Sequence, residues 1–308
     1  IIDGADISAG KLTFPAYFRN WIETTKQGTV RASTYARYTT AANLIDKVFA
    51  GMIMEKLTTL SLQKELNEFG ENHSKKYARD VLTLIKTSLR DAYLDGIIKR
   101  DIFTRLQPAG QVVDKGDNFL NATDFTKLQD FLYSKTDEMH TRPFYIMALV
   151  ALETGARLGE VQALTKKDIT DNHITINKAY SSATHKVTDP KTKSSVRTIA
   201  ISKRLSAVLS NFFNTTGQYN LIENKMNTGR VSLEMQDLVR EADIQPIHFH
   251  GLRHSHVSYL LHNGVDIDYV SKRVGHANVS VTLQIYAHML KEKELAQDEL
   301  TLQVLDNE

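Results

Sequence analysis

A chain of 308 residues is longer than one ordinary hydrophobic core serves, so two domains are expected. A hydrophobic fraction of 42%, a charged fraction of 24% and only five prolines exclude a disordered or collagen-like polymer and favour a globular, helix-rich protein. The absence of cysteine rules out disulfides, thiolate zinc sites and a thiol nucleophile, and a net charge of +2 is too small to imply nucleic acid by its sum alone.

Charge distribution says more than the total. Residues 1–110 hold 16 Lys and Arg against 12 Asp and Glu, whereas the remainder holds 22 against 24. The basic bias of the first third is compatible with contacts to a DNA backbone, although chance explains such a bias too. No run of 18 apolar residues exists, and the opening IIDGADISAG lacks the basic start and apolar core of a secretory signal. A soluble, cytoplasmic protein without membrane association is expected. The first residue is Ile rather than Met, which suggests that the natural beginning lies further upstream.

In LTFPAYFRNWIETTKQ (12–27), Phe14, Tyr17, Phe18, Trp21 and Ile22 recur at helical spacing, which predicts an amphipathic helix with a buried aromatic stripe. Arg31 to Phe49 reads as a second helix capped by Ser33 or Thr34, with Arg31, Tyr35, Arg37 and Tyr38 in its first turns. Basic and aromatic residues at a helix start suit phosphate contact, and a solvated face is the plain alternative. MEKLTTLSLQKELNEFGE predicts a short third helix. HSKKYARDVLTLIKTSLRDAYLDGII predicts a long fourth, with Val81, Leu82, Ile85, Leu89 and Tyr93 on its apolar side and Lys75, Lys76, Arg79 and Lys86 away from it. Four helices without a convincing strand make this part a small helical bundle. The run QPAGQVVDKGDN (107–118) mixes Pro, Gly and charge, so it reads as a linker, with the boundary near residue 115.

Beyond it, NATDFTKLQDFLYSK predicts a helix capped by Thr123. Pro143 to Glu153, apolar nearly all round, predicts a buried helix. It ends in Thr154-Gly155-Ala156-Arg157, where glycine permits a sharp turn and close approach of the backbone to a ligand. LGEVQAL is a further short helix. ITINKAY (174–180) and VRTIAIS (196–202) are β-branched and alternating, hence strands, with a hairpin region THKVTDPKTKSS between them. Helices recur in KRLSAVLSNFF, in SLEMQDLVREA and three times within 250–289. The tail after Tyr286 mixes leucines with acids and is expected to dock in cis or on a neighbour.

The chemistry concentrates in His250 to Tyr286, where His250, Arg253, His276 and Tyr286 fall within 37 residues. A tyrosine phenol, which ordinarily ionises near pH ~10, becomes a competent nucleophile beside a few positive charges. Arg157, just after its glycine turn, and Arg253, three residues past His250, offer planar guanidinium forks for phosphate oxygens. Two arginines with an imidazole donor are what a pentacoordinate phosphorane needs, because its charge develops on non-bridging oxygens. The plain alternatives are a core tyrosine for Tyr286 and a salt bridge from Arg157 to Glu160. His250 and His254, spaced i, i+4 with His248 or His256 nearby, also offer zinc ligands, but no HExxH pattern or carboxylate third ligand accompanies them. Lys191 and Lys193 in the hairpin are candidates for protonating a leaving 5′ oxygen, or are solvated turn residues.

TGARLGEVQAL, HGLRHSHVSYLL and VGHANVSVTLQIYAHM resemble, in order and spacing, the signature boxes of the tyrosine recombinases, particularly phage and conjugative-transposon integrases. The resemblance covers roughly residues 120–290, and the preceding bundle is more weakly similar to that family's core-site-binding domain. It implies a mainly α fold with a small antiparallel β-sheet (α+β), in which two domains form a C-shaped clamp on DNA. The domains would be a helical, SAM-like core-site-binding domain (1–110), a linker (111–118), a catalytic domain (119–290) and a tail (291–308) exchanged with a neighbouring subunit.

The same resemblance assigns roles. Arg157 and Arg253 would clamp the scissile phosphate, and His250 and His276 would donate to it or manage the nucleophile's proton. Tyr286 would attack, leaving a 3′-phosphotyrosine and a free 5′-hydroxyl. Glu160 would brace the Arg157 region. PKTKSS aligns the family's general acid best with Lys191, with Lys193 two residues away on the same face of an extended segment. No metal, nucleotide or other cofactor is implied. The partners would be double-stranded DNA carrying attachment sites, a Holliday junction, and three further copies in a homo-tetramer. Arg31, Tyr35, Arg37, Lys75, Lys76 and Arg79 would meet DNA. Many integrases also carry a small arm-binding domain ahead of the clamp, and the chain starts too late for one to be expected in it. A type IB topoisomerase uses similar chemistry, and a DNA-binding protein with an idle site or a metal-dependent hydrolase are the remaining readings.

Overall fold

A computed structural model of the chain describes residues 12–112, 118–189, 195–280, 282–283 and 305. The chain divides into two compact units, residues 1–115 and 116–308. Among the described residues, no helix is long and apolar enough to cross a membrane.

Among its described residues the first unit holds four helices: α1 (Phe14–Thr25), α2 (Ala32–Val48), α3 (Thr59–Glu71) and α4 (Lys75–Leu94), with a short 3-10 turn at Met54–Lys56. Thr13 caps α1 by accepting the Ala16 N–H, and the helix buries Phe14, Tyr17, Phe18, Trp21 and Ile22. Phe14 stands edge-on to Phe49 at 5.4 Å, and the Trp21 indole donates to Asp91 Oδ2 at 2.7 Å, so the indole N–H of that stripe is satisfied. Two expectations need correction here. The cap of α2 is Arg31, in extended backbone and without a side-chain cap, and Ser33 and Thr34 already lie inside the helix. On α4 the buried phase runs through Val81, Leu82, Ile85, Ser88, Leu89 and Ala92, so Tyr93, one position past Ala92, turns outward. Part of the expected linker is tied down. Gln107 N–H donates to Gln63 Oε1, the Gln63 amide donates back to Gln107 O, and Gln111 exchanges backbone bonds with His73 and Lys75. Gly110, at φ +148, allows that approach, since a Cβ there would lie 2.7 Å from Lys75 N.

The second unit wraps around one helix. α5 (Ala122–Ser134) leads to α6 (Phe144–Thr154), in which every residue from Phe144 to Leu152 is buried. The cap of α5 is Asn121, whose side chain accepts the Asp124 N–H at 2.8 Å, and not Thr123, which lies inside the helix. α7 (Leu158–Ala163) follows the Gly155 turn. The strands β1 (Ile169–Thr170), β2 (His173–Ile176) and β5 (Arg197–Ala200) form an antiparallel sheet in the order β1-β2-β5, while β3 (Ala179–Ser181) and β4 (Lys186–Thr188) pair separately. ITINKAY is therefore not one strand. It breaks at Asn177 and Lys178, where the Lys178 ammonium turns to the buried Asp168 carboxylate. Gly159 lets α7 lie on β3, since a Cβ there would be 2.5 Å from Tyr180 O. α8 (Lys203–Thr216), α9 (Thr228–Glu241), α10 (Phe249–His262) and α11 (Ile267–Val274) follow, and Val257, Leu261, Val270 and Val274 join the last two.

Candidate active site

Four of the predicted catalytic residues are described, and they come from three places: the turn after α6, the first turns of α10, and the loop after α11. Lys191, Lys193, Tyr286 and the tail, apart from Leu305, lie outside the described residues.

Gly155 ends α6 at φ +66 with no room for a side chain, a Cβ there meeting Val274 Cγ1 at 2.8 Å. That turn presents Arg157 at the start of α7. Its Nη1 donates to Glu160 Oε1 at 2.8 Å, its Nη2 to Gly275 O at 3.1 Å and its backbone N–H to Glu160 Oε2 at 2.8 Å. The Arg157 side chain keeps 39% of its surface exposed, so it is held at one edge and open at another. The salt bridge to Glu160 thus coexists with an accessible guanidinium.

Glu160 holds a second arginine that sequence reasoning passed over. Arg197, the first residue of β5, donates Nη2 to Glu160 Oε2 at 2.8 Å and Nη1 to Oε1 at 3.2 Å. Burial alone would raise the Glu160 pKa, but Arg197 and then Arg157 outweigh it and hold the carboxylate below its ordinary range. The signal was present in VRTIAIS, where Arg197 falls in phase with the inward Ile199 and Ile201 and pairs opposite the buried Ile176. A charge in that phase demands a buried partner. Glu160→Gln is therefore expected to destabilise the second unit by about 3 kcal/mol, because it leaves the Arg197 guanidinium without a counter-charge. Urea unfolding measures this, and a change under about 1 kcal/mol would mean the pair carries little.

Arg253 is 2% exposed. Its Nη1 donates to Gly155 O at 2.7 Å, and its buried Nη2 has no partner among the described residues. Burial first, then Arg157 and Arg197, press against its charged form. A guanidinium does not give up its proton in a protein, so that pressure appears as unneutralised positive charge and an idle N–H donor. Such a donor can take an anion's oxygen.

The imidazoles around it stay neutral. His250, open on one side, has its pKa lowered by partial burial and then by Arg253 and Arg157. His276 is lowered to about 4 by burial, then by Arg253, Arg157 and the two other histidines, and its Nδ1 meets Thr282 Oγ1 at 2.8 Å. His254 lies one turn after His250, with ring centroids 4.7 Å apart. It too is lowered to about 4, by burial and then His250, and its buried Nδ1 has no partner among the described residues. His256 faces a different set of partners and is structural. Its Nδ1 donates to Leu152 O, which leaves Nε2 to accept the Arg273 Nε–H at 3.0 Å, and burial lowers its pKa to about 3.

These depressed values fix a pH dependence. The folded protein keeps the rings neutral while the unfolded chain protonates them below about 6.5. Their contribution to stability is complete above pH ~6.5 and is lost as the pH falls, down to about 4 for His254 and His276 and about 3 for His256. His256 alone supplies a slope of up to ~1.4 kcal/mol per pH unit in that window. Unfolding free energies measured from about pH 7.5 to 4 are expected to fall along it, and His256→Gln to flatten the curve by about one proton's worth.

The six candidate DNA contacts sit on the first unit. Arg31, Tyr35 and Arg37 lie at the start of α2, and Lys75, Lys76 and Arg79 in the first turns of α4; all are exposed except the half-buried Tyr35.

The sequence profile of the Phage integrase family matches residues 118–293, and that of the Phage integrase, N-terminal SAM-like domain matches residues 13–70. The chain is 29% identical over 258 residues to the ICEBs1 integrase of Bacillus subtilis (strain 168), covering 76% of this chain and 67% of that relative. The Tn1549 transposon integrase in complex with a circular intermediate DNA superposes with a TM-score of 0.76 at 16% identity, over 89% of this chain and 95% of that one. A lambda integrase tetramer bound to a Holliday junction superposes with a TM-score of 0.67 at 16% identity, over 89% of this chain and 77% of that one. At such identities the two structural likenesses speak for the fold.

Proposed function

The chain belongs to the phage integrase family of tyrosine recombinases, and on that premise we propose that this site-specific recombinase cuts and rejoins DNA through the Tyr286 phenol, with Arg157 and Arg253 gripping the scissile phosphate. The observation that carries the reading is Arg253: a buried guanidinium with an N–H that has no partner among the described residues, beside the half-open fork of Arg157. Both charges suit a phosphate whose negative charge grows on its non-bridging oxygens as the phenol attacks. His250 and His276 complete the grip. Neutral near pH ~7, each can accept the phenolic proton or, on the same ring, donate to a phosphate oxygen. Glu160 braces Arg157, and Lys191, with Lys193 as the neighbouring alternative, protonates the leaving 5′ oxygen. The product is a 3′-phosphotyrosine and a 5′-hydroxyl. Exchanging one phosphoester for another roughly conserves bond energy, so religation needs no nucleotide.

In this reading the first unit contacts core-site DNA through the basic starts of α2 and α4, and the two units clamp the duplex. Four copies act on two DNA segments through a Holliday junction, with residues 291–308 exchanged between neighbours. A mobile element's integrase of this kind works in the cytoplasm on chromosomal DNA. The test is a nicked suicide duplex carrying the element's own junction, incubated in EDTA. Expected is a denaturation-resistant protein–DNA adduct, then exchange between two sites. Adduct with relaxation but no exchange indicates a topoisomerase, and binding without adduct removes the catalytic reading.

A further inference from the structure

We infer that Arg197 is a positioning residue for strand cleavage, which keeps the Arg157 fork available to phosphate by occupying the carboxylate that would otherwise capture it. The inference rests on the cleavage reading above. Arg197 is 8% exposed and stands on the core-facing side of β5, opposite Ile176. Its N–H groups are committed in three directions: to Glu160, to Arg273 O at 2.8 Å through Nε, and to Ser195 O at 3.2 Å through Nη1. Each of its three nitrogens thus has a partner within the protein, and the side chain is turned inward rather than towards DNA.

An isolated arginine beside a buried glutamate takes both oxygens, fork to fork. Here Arg197 holds Oε2 closely and shares Oε1, so Arg157 obtains only a single-nitrogen contact from its side chain, Nη1 to Oε1. Were Arg197 absent, Glu160 would be free to receive both terminal nitrogens of Arg157 and draw the fork inward. The two arginines also converge on the carboxyl end of α11, Arg197 on Arg273 O and Arg157 on Gly275 O. That end carries the negative pole of the helix and leads directly into His276. One ring of contacts thus ties α7, β5 and α11 together and sets Arg157 and His276 in a common frame. Arg197 also reaches Ser195 O, two residues before it on the chain, so its own backbone approach is held by the same side chain.

A double-mutant cycle on single-turnover adduct formation tests this, using the full chain and the suicide duplex. Arg197→Met is expected to slow cleavage about 10- to 100-fold while duplex binding changes by less than about twofold, the size of a misplaced catalytic group. Combined with Arg157→Lys, the loss should equal that of Arg157→Lys alone. On a duplex whose scissile phosphate is a neutral methylphosphonate, Arg197→Met and wild type should cleave at similar rates, since less charge then needs the fork. Additive losses in the cycle, or the same deficit on the neutral and the charged duplex, overturn the inference. Arg197→Lys, which keeps the charge but cannot fill both oxygens, is carried alongside in case Arg197→Met melts below the assay temperature. If wild type itself forms no adduct on either duplex, the cleavage reading fails and not merely the role of Arg197.

Discussion

Tyr286→Phe is expected to abolish the covalent protein–DNA adduct, by at least about a thousandfold in rate, while leaving duplex affinity within about twofold. On the proposed mechanism one hydroxyl carries the bond-forming step and would contribute almost nothing to an interface dominated by phosphate contacts. The size of the effect follows from the surroundings of the phosphate. Among the described residues of HGLRHSHVSYLL and VGHANVSVTLQIYAHM, the nearby hydroxyls are poorly placed to substitute: the Ser255 hydroxyl is buried and bonded between Gly251 O and the Leu120 N–H. Ser258, buried too, lies two turns past His250 on α10. Thr282, four residues before Tyr286, already meets His276 Nδ1, which directs the other edge of that ring elsewhere. A gel-shift assay and a denaturing gel on the same suicide duplex separate the two quantities. Persistent adduct in Tyr286→Phe would move the nucleophile to another residue and dismantle the assignment.

Much of this fold could be read without coordinates because burial dictates period. The stripe from Phe14 to Ile22 and the all-apolar run from Phe144 to Leu152 announce α1 and α6, and Gly155 marks a turn that only glycine fits. Where two local solutions compete, pattern alone chose badly. Asn121 and Thr123 are both good caps two residues apart, and the backbone took the first. Arg31 caps α2 with no side-chain bond, which no capping rule foretells. ITINKAY alternates as a strand should, yet a tertiary partner, Asp168, pulls Lys178 out of register and divides it. The candidate site was legible in a different way. Arg157, His250, Arg253 and His276 stand in motif order, but their nearness shows only in three dimensions, where Arg253 bonds Gly155 O at the turn before Arg157 and Arg157 reaches Gly275 O beside His276. Arg197 escaped because it looks like any basic residue until its phase against Ile199 and Ile201 is noticed.

Arg253→Met is expected to split stability from activity in opposite directions. In the absence of DNA the Arg253 guanidinium is a liability: it is almost fully buried, repelled by Arg157 and Arg197, and holds a hydrogen bond to Gly155 O while its Nη2 goes without a partner among the described residues. Replacing it with an unbranched apolar chain of similar length removes the desolvation cost and the repulsion, and loses that bond. Buried charges replaced by packed apolar side chains often leave stability level or higher. The melting temperature is therefore expected to hold or rise. Cleavage should fall by about 10²–10³, or roughly 3–4 kcal/mol in barrier, the usual consequence of deleting a donor aimed at developing oxyanion charge. Strain retained at a site against stability is what a functional role predicts, since an arginine without one would have no reason to remain there. Thermal melts and single-turnover adduct rates on one protein preparation decide it. A large drop in melting temperature with cleavage lost in proportion would make Arg253 a structural cross-link, and unchanged cleavage would remove it from the phosphate altogether.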